Sequence, residues 1–203
     1  MYDHYELGVE RREIYERITD AMLAEVRSGQ TVCAAFYGHP GMFVYPSHEA
    51  VRRARAEGHS ARMLPAVSAE DCLFADLGVD PGAAGCQSYE ATDFLIRRRE
   101  IDPTAALILW QIAVIGEAIY STALRKDGLA LLAEYLRTWY EGEHVLTLYE
   151  ASPYPLVEAN VTTMPLAELP DADATALSSL YVPPLEPRPR DAEMMERLGL
   201  GSA

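Results

Sequence analysis

The sequence predicts an α/β fold with two lobes, a parallel sheet in the N-terminal lobe and a mixed sheet in the C-terminal lobe. The first half alternates apolar runs of strand length with helix patterns, which is the order of parallel βαβ units. In the second half, half-buried strand patterns are separated by proline-rich segments, which favours an antiparallel or mixed sheet. The length of 203 residues suits two small lobes that share a core. We place them at residues 1–115 and 116–203.

The N-terminal lobe begins with a predicted helix over residues 9–28, in which Ile14, Ile18, Met22 and Val26 recur every fourth position. Next comes a continuous apolar run that predicts a buried parallel strand. A helix, a second strand and a short helix complete a right-handed βαβ unit. These four elements are predicted over residues 31–37, 47–57, 60–64 and from Ser68 onward.

Two further strands are predicted beyond a glycine-rich bend, at residues 87–91 and 106–112, and the second is almost wholly apolar. The C-terminal lobe starts within residues 113–126, where the pattern changes. A proline-rich tail over 183–189 is predicted to be a stiff linker. The other elements predicted in this lobe are a helix over 128–140, strands over 145–149, 157–164 and 178–182, and a helical turn over 192–198.

The charge balance excludes several classes of partner. Acidic residues number 31 against 17 basic ones, giving a net charge of −14. Such a field repels phosphate backbones and anionic lipid, and no local basic patch offsets it, so we expect neither a nucleic-acid nor a membrane partner. The longest apolar stretch, residues 105–116, is too short to span a bilayer. Without a signal peptide pattern at Met1, the sequence predicts a soluble cytoplasmic protein.

The cysteines predict neither disulfides nor a metal centre. Cys33, Cys72 and Cys86 are odd in number and lack the spacing of metal ligands. Cys33 and Cys72 stand in apolar patterns, so we expect buried thiols in a reducing compartment. His39 has no second histidine or cysteine at ligand spacing, and no metal is predicted.

Three polar positions of the N-terminal lobe are candidate ligand contacts, and each has a structural alternative. The Tyr37–Gly41 segment follows a predicted parallel strand, where open α/β sheets bind ligands, but it also suits a tight loop with a surface histidine. Ser68 could contact a ligand or simply cap a helix. Gln111 lies within an apolar strand pattern, and a buried amide needs either a structural partner or a ligand.

A second candidate constellation lies on the first helix. Arg11 and Tyr15 are four residues apart and share a helix face. A guanidinium beside a phenol lowers the pKa of the phenol and makes it a plausible general base. The alternative is a solvated pair on an amphipathic helix. Hydrolase and kinase motifs such as G-x-S-x-G and the P-loop do not occur.

Several longer motifs together resemble one enzyme family. The sequence is similar to the tetrapyrrole-methylase-like superfamily of S-adenosylmethionine enzymes, and within it most resembles the borosin peptide-backbone α-N-methyltransferases. The resemblance covers nearly the whole chain, and its central block is residues 36–111. The motifs that carry it are YGHPG at 37–41, PSH at 46–48, ARMLP at 61–65, SAEDCLFADL at 68–77, YEATDFL at 89–95, LWQ at 109–111 and YVPP at 181–184.

The resemblance implies a tetrapyrrole-methylase-like two-lobed fold and transfer of a methyl group from S-adenosylmethionine to a peptide amide nitrogen, with S-adenosylhomocysteine as product. It makes Tyr15 the base and Arg11 the group that lowers the pKa of that base. Tyr5 and Tyr37 would hydrogen-bond the peptide oxygen as charge develops. The implied cofactor contacts, in a cleft between the lobes, are Tyr37, His39, Met42, Phe43, Ser68, Ala69, Gln111, Ala151, Ser178 and Ser179.

Both ends of the chain depart from the family pattern. Family members begin with a strand, a glycine-rich loop and a helix, whereas Met1 here lies just before the Tyr5–Arg11–Tyr15 cluster, so we expect the N-terminal lobe to lack that unit. Self-modifying members carry a C-terminal core peptide, whereas this chain stops at Ala203. We therefore expect the split type, a homodimer that acts on a separate precursor peptide. The alternatives are a tetrapyrrole, corrinoid or small-molecule methylase and a non-catalytic peptide-binding subunit.

Overall fold

The computed structural model describes residues 2–121, 127–154 and 156–201, and it has the mixed α/β fold that the sequence predicts. Helices lie on both sides of one five-stranded sheet. Three short 3₁₀ turns, Tyr2–His4, Ile112–Val114 and Leu166–Asp171, connect regular elements. In chain order the elements are α1 (Arg11–Arg27), α2 (Tyr45–Ala56), α3 (Ala69–Leu77), α4 (Pro81–Ala84), β1 (Cys86–Glu90), α5 (Ala91–Ile96), β2 (Ala106–Trp110), α6 (Asp127–Leu136), β3 (Val145–Glu150), β4 (Asn160–Pro165), β5 (Ser179–Val182) and α7 (Ala192–Arg197).

The sheet has the strand order β1-β2-β5-β3-β4. β1 and β2 are parallel, and every other neighbouring pair is antiparallel. The register pairs Glu90 with Trp110, Tyr149 with Ser179 and Glu150 with Asn160. The ends of β1, β2 and β3 and the starts of β4 and β5 therefore meet along one margin of the sheet, which we call the Trp110 edge.

β2 lies at the centre of the core, because all five of its residues are buried. Side chains alternate across a strand, so Leu107 and Leu109 join one apolar cluster while Ile108 and Trp110 join the other. The first cluster is covered by α5 and α6, and the second by α3. No helix among the described residues is long and apolar enough to cross a membrane.

Helices α1 and α2 pack together through a small apolar contact surrounded by ion pairs. Ile14, Ile18 and Leu23 of α1 are buried, as is Ala54 of α2. The flanking charges are arginine–carboxylate pairs that join the two helices: Arg27 with Glu57 at 2.6 Å, Arg53 with Asp20 at 3.2 Å, and Arg53 with Glu16.

Most of the predicted elements are confirmed, including the helix of the predicted βαβ unit, but the two strands of that unit are wrong. Residues 31–36 and 60–67 have no strand structure, and no backbone–backbone hydrogen bond joins them to another described residue. A strand forms only where a neighbour supplies a hydrogen-bonding ladder, and an apolar run alone cannot supply one. Parallel pairing is therefore confined to β1 and β2.

The cysteines depart partly from the prediction. All three thiols are free, but Cys33 is exposed because it lies in the unpaired segment, whereas Cys72 and Cys86 are half-buried. Burial raises the pKa of Cys72, and it raises that of Cys86 to about 11. These two thiols are therefore poor nucleophiles at neutral pH.

Leu132 and Leu131 give a matched test of the core. Leu132 of α6 is 0% exposed, whereas its neighbour Leu131 is 55% exposed. We expect Leu132→Ala to lower the free energy of unfolding by about 2–5 kcal/mol, because it removes buried surface and leaves a cavity. Leu131→Ala should change it by about 0.5 kcal/mol or less. Urea unfolding followed by circular dichroism measures both, and equal losses would contradict this description of the core.

Glu49 on α2 makes stability depend on acidity. Hydrogen bonds from Arg52 and Arg53 lower its pKa from 4.5 to about 2. A carboxylate whose pKa is lowered in the folded state stabilises the fold at pH values above the pKa it has in the unfolded chain. This contribution is lost as the pH falls toward 2. The melting temperature of Glu49→Gln should therefore lie below that of the wild type near neutral pH, and the gap should shrink on acidification. Glu25→Gln serves as the control, and a gap that does not vary with pH would contradict the expectation.

Candidate functional site

A chain of hydrogen bonds organises the Trp110 edge. The indole N–H of Trp110 donates to Ser88 Oγ at 2.7 Å, and the Ser88 hydroxyl donates to Glu70 Oε2 at 2.8 Å. The first of these hydrogen bonds connects β2 to β1, and the second connects β1 to α3. The ring of Phe43 lies 5.5 Å from that of Trp110, centroid to centroid. Trp110 is thus a shared support for the loop before α2 and for the start of α3.

The loop over residues 38–44 has a defined conformation that hydrogen bonds hold. His39 Nδ1 accepts the backbone N–H of Gly41 at 2.9 Å, and Phe43 adopts a left-handed φ of 54°. At the end of the loop, the hydroxyl of Ser47 donates to the carbonyl of Val44 at 2.8 Å and to that of Pro40. A Cβ on Gly38 would lie 3.7 Å from the carbonyl oxygen of Val67, so the loop passes directly beside the start of α3.

Ser68 is the N-cap of α3. Its hydroxyl oxygen accepts the N–H of Asp71 at 3.2 Å, and its own N–H donates to Asp71 Oδ2 at 2.7 Å. This capping box confirms the structural alternative that the sequence left open. Hydrogen bonds from Ser68, with a smaller contribution from the nearby His39, lower the pKa of Asp71. Ala69, the next residue, packs against the cluster that contains Trp110.

A cleft of about 530 Å³ opens between α3 and residues 152–159. Ala69 on α3 and Ala151 after β3 lie beside its lining and pack on the same core cluster. Asp76 accepts a hydrogen bond from the hydroxyl of Tyr149 at 2.7 Å. The cleft combines carboxylates with apolar side chains, so it suits a cation with an apolar body. Its lining residues are Val67, Asp71, Cys72, Ala75, Asp76, Ser152, Tyr154, Leu156, Val157, Glu158 and Ala159.

Ser178 and Ser179 lie at the Trp110 edge but serve the fold. Both are buried, and Ser179 pairs with Tyr149 across the sheet. The Ser178 hydroxyl donates to Glu150 Oε1 at 2.6 Å, as does that of Thr175. Burial by itself would raise the pKa of Glu150, but these hydrogen bonds hold it below its usual range. The two serines therefore fix the wall beside Ala151.

The prediction that Gln111 lies inside a strand is wrong. β2 ends at Trp110, and Gln111 follows it with an exposed side chain and a left-handed φ of 59°. The carbonyl of Gln111 then accepts the N–H of Val114 at 3.0 Å, which closes a 3₁₀ turn. Because the amide is exposed, it needs no structural partner and is free to contact a ligand at the Trp110 edge.

Tyr5 and Arg11 are brought together by a residue that the sequence analysis missed. The ring of Tyr120 lies edge-on to Tyr5, with centroids 5.2 Å apart, and the Arg11 guanidinium carbon lies 5.6 Å from the same ring centre. Tyr120 is held by backbone hydrogen bonds to Gly8 at 3.0 Å and Val9 at 2.9 Å. Nε of Arg11 is buried and has no hydrogen-bond partner among the described residues. We call Tyr5, Arg11 and Tyr120 the Arg11 cluster.

The other two candidate catalytic tyrosines lie on different supports. Tyr15, one helical turn after Arg11, stacks on Tyr45 of α2 with ring centroids 6.3 Å apart. The Tyr45 hydroxyl donates to Glu16 at 2.7 Å, which fixes that ring. Tyr37 is 70% exposed on the loop before α2. Burial raises the pKa of Tyr149, with smaller contributions from Asp76, then Cys72 and Tyr37.

The geometry therefore gathers the predicted residues in two groups. Phe43, Ala69, Gln111, Ala151, Ser178 and Ser179 surround the Trp110 edge, whereas Arg11 and Tyr15 share one face of α1. His39 and Met42 belong to the loop between them, where the N–H of Met42 donates to the carbonyl of His39 at 3.2 Å. Among the described residues, no group of three or more His, Cys, Asp or Glu could hold a metal ion.

Comparison with known proteins identifies the sequence family. The model of the tetrapyrrole (corrin/porphyrin) methylases matches residues 3–169. The "methyltransferase/ribosomally synthesized cyclic peptide gymnopeptides precursor gymMA1" of Gymnopus fusipes is 39% identical over 100% of this chain and 50% of its own length. The corresponding omphalotin A precursor, ophMA of Omphalotus olearius, is 38% identical over 98% of this chain and 49% of its own. The chain thus spans about half the length of these curated relatives.

Solved structures show the same fold at lower sequence identity. A uroporphyrin-III C-methyltransferase from Thermus thermophilus, complexed with S-adenosylhomocysteine, aligns with a TM-score of 0.59 and 16% identity, covering 88% of this chain and 75% of its own. The methyltransferase CobJ aligns with a TM-score of 0.58 and 17% identity, covering 92% of this chain and 76% of its own.

Substitution of Tyr120 tests the Arg11 cluster without any ligand. We expect Tyr120→Leu to speed the modification of Arg11 by phenylglyoxal severalfold, because the ring that lies against the guanidinium is lost. Tyr120→Phe keeps the ring and should behave like the wild type. Peptide mass spectrometry follows the modification, with the exposed Arg190 as the internal reference. Equal Arg11 rates in Tyr120→Leu and the wild type would show that Tyr120 does not hold Arg11.

Proposed function

The chain belongs to the tetrapyrrole (corrin/porphyrin) methylase family, and we propose that it methylates backbone amide nitrogens of a separate ribosomal precursor peptide with S-adenosylmethionine as donor. One observation supports a peptide as the acceptor of the methyl group. Relatives that are 38–39% identical over at least 98% of this chain bear names that join a methyltransferase to a ribosomally synthesized cyclic peptide precursor. The geometry of the Trp110 edge and of α1 supports the same reaction.

The Trp110 edge supports the proposed cofactor site. The cleft beside Ala69 and Ala151 carries Asp71, Asp76 and Glu158, and carboxylates attract a sulfonium cation. Gln111 offers an exposed amide, and the ring of Phe43 on Trp110 offers an apolar surface. S-adenosylmethionine would supply an electrophilic methyl group there and leave as S-adenosylhomocysteine. Tyr37, His39, Met42, Ser68, Ser178 and Ser179 complete the proposed contacts, in part by holding this surface in shape.

The residues of α1 are suited to activating an amide. An amide N–H is a very weak acid, so the site must remove its proton as the nitrogen attacks the methyl carbon and the carbon–sulfur bond breaks. We assign that proton to the hydroxyl oxygen of Tyr15, which lies one helical turn after Arg11 on α1. Negative charge that develops on the peptide oxygen is met by the hydroxyls of Tyr5 and Tyr37.

The surface around the cleft suits an apolar peptide. Tyr37 is 70% exposed, Val67 65%, Tyr154 67% and Leu156 99%. An exposed apolar margin of this kind marks a binding surface rather than a solvated one. In this proposal the chain functions as a cytoplasmic homodimer, with residues 1–115 and 116–203 as its two lobes.

The fold neighbours favour one alternative, a tetrapyrrole C-methyltransferase. The acidic lining of the cleft opposes it, because tetrapyrroles such as uroporphyrin carry several carboxylates of the same charge. A carbon nucleophile also needs no phenolate, so the Arg11–Tyr15 pair would have no function in that reaction.

Calorimetric titration with S-adenosylhomocysteine tests the cofactor site. We expect saturable binding by the wild type, about tenfold weaker binding by Gln111→Ala because the ligand loses a hydrogen bond, and unchanged binding by the exposed loop variant Gln30→Ala. A folded, monodisperse protein that binds no S-adenosylhomocysteine would favour a non-catalytic peptide-binding subunit.

Tyr15→Phe tests the assigned base. We expect this variant to lower the rate of methyl transfer by about 10²–10⁴-fold, because only the proton acceptor is removed. Its affinity for S-adenosylhomocysteine should match that of the wild type. The precursor peptide encoded beside the gene for this chain is incubated with the enzyme and the methyl donor. Mass spectrometry then counts the added methyl groups, each of which adds about 14 daltons. Equal rates in Tyr15→Phe and the wild type would overturn the assignment.

A further inference from the structure

We propose that a basic cavity between α2 and residues 61–63 binds an acidic segment of the peptide substrate, with Arg55 and Arg62 as the cations that hold its carboxylates. The peptide part of this inference rests on the proposed function. The cavity has a volume of about 600 Å³ and is lined by His48, Val51, Arg52, Arg55, Arg62 and Met63. It is separate from the cleft beside Ala69 and Ala151, with which it shares no lining residue.

The hydrogen-bond and ion-pair partners of each arginine determine which guanidinium groups of the cavity can bind an added carboxylate. Arg52 donates two hydrogen bonds to Glu49, at 2.7 and 2.6 Å, and is neutralised by it. Arg55 donates its Nε–H to the carbonyl of Ala61 at 2.8 Å and has no ion pair with a carboxylate of the described residues. Arg62 is exposed and has no hydrogen-bond or ion-pair partner among the described residues. Two full positive charges therefore remain at this cavity.

Among the described residues other arginines, such as Arg98 and Arg190, also lack a carboxylate partner, but Arg55 and Arg62 differ from them because both line one cavity. With 31 acidic residues against 17 basic ones, carboxylates are abundant. Many arginines do meet one, and these include Arg12, Arg17, Arg27, Arg52, Arg53, Arg97, Arg99 and Arg188. Arg55 and Arg62 line the same cavity and are both unpaired, so a carboxylate from outside the chain would complete them.

The form of the cavity favours an acidic side chain over a bare anion. Val51 and Met63 give it an apolar wall, while the two guanidinium groups and His48 give it a polar one. An aspartate or glutamate places methylene carbon against the first wall and oxygen against the second, whereas phosphate is hydrated on all sides. The net charge of −14 disfavours the binding of acidic peptides elsewhere on the surface, so an acidic peptide should bind selectively at this cavity.

The cavity adjoins the loop over residues 38–44. His48 Nε2 contacts the carbonyl oxygen of Gly41 at 3.0 Å. A Cβ on Gly41 would lie 2.9 Å from the sulfur of Met63, so the loop and the cavity wall are in close contact. A peptide segment held here is therefore anchored directly behind the loop that carries His39 and Phe43, and its continuation can reach the proposed site.

The experiment uses a fluorescein-labelled hexaglutamate peptide and the full chain without cofactor, followed by fluorescence anisotropy at low ionic strength. We expect saturable binding that weakens as salt is added, because exposed charge pairs are screened. Arg62→Gln and Arg55→Gln should each weaken it about tenfold, because a charge-assisted hydrogen bond is lost. Arg62 is exposed and makes no hydrogen bond or ion pair with another described residue, so its variant should retain the fold even if Arg55→Gln does not.

The control variant is Arg190→Gln, which removes one exposed arginine from the proline-rich tail and should bind hexaglutamate like the wild type. Hexaalanine should not bind. Equal affinities in Arg62→Gln and Arg190→Gln would overturn the site, and inorganic phosphate that competes at the same molar concentration as free hexaglutamate would overturn its assignment to a peptide. Since no methyl donor is present, loss of this binding is distinguishable from failure of methyl transfer or of S-adenosylhomocysteine binding.

Discussion

The fold depends on the burial of β2 on both faces. All five residues of this strand are inaccessible, and the strand carries a parallel neighbour on one side and an antiparallel neighbour on the other. Its last residue, Trp110, is the point where the two halves of the chain meet. The indole donates to β1 through Ser88, supports the ring of Phe43 and packs beside Tyr149.

An element of the fold could be predicted from the sequence where residues close together in the chain determine it. α1 was visible in its four-residue apolar period, and α3 in its Ser68 cap with an acidic third position, because both signals lie within one turn of chain. The strands predicted at residues 31–37 and 60–64 do not form, because a strand also needs a neighbour, and an apolar run does not contain that information. Gln111 was misplaced by a single residue, which was enough to change it from buried to exposed.

The site shows the same division. The candidate residues of the loop and of α1 came from motifs and spacing, and the structure places Phe43 of the loop against Trp110 and Arg11 and Tyr15 one turn apart on one helix. Tyr120 could not be found in this way, since no periodicity marks it and its partner Tyr5 is more than a hundred residues away in sequence. Long-range ring contacts and unpaired guanidinium groups become visible only when separate segments are placed side by side.

The extended, unpaired segment over residues 31–36 has a consequence for how the protein behaves in concentrated solution. Its peptide groups form a short row of free donors and acceptors beside exposed apolar side chains, which is a template for strand pairing between molecules. What opposes that pairing is the charge of −14, which keeps copies of the chain apart at long range. Salt removes the repulsion but not the row of peptide groups. Colloidal stability should thus be greatest in dilute buffer and lowest at high ionic strength, the reverse of a protein whose association is held by ion pairs.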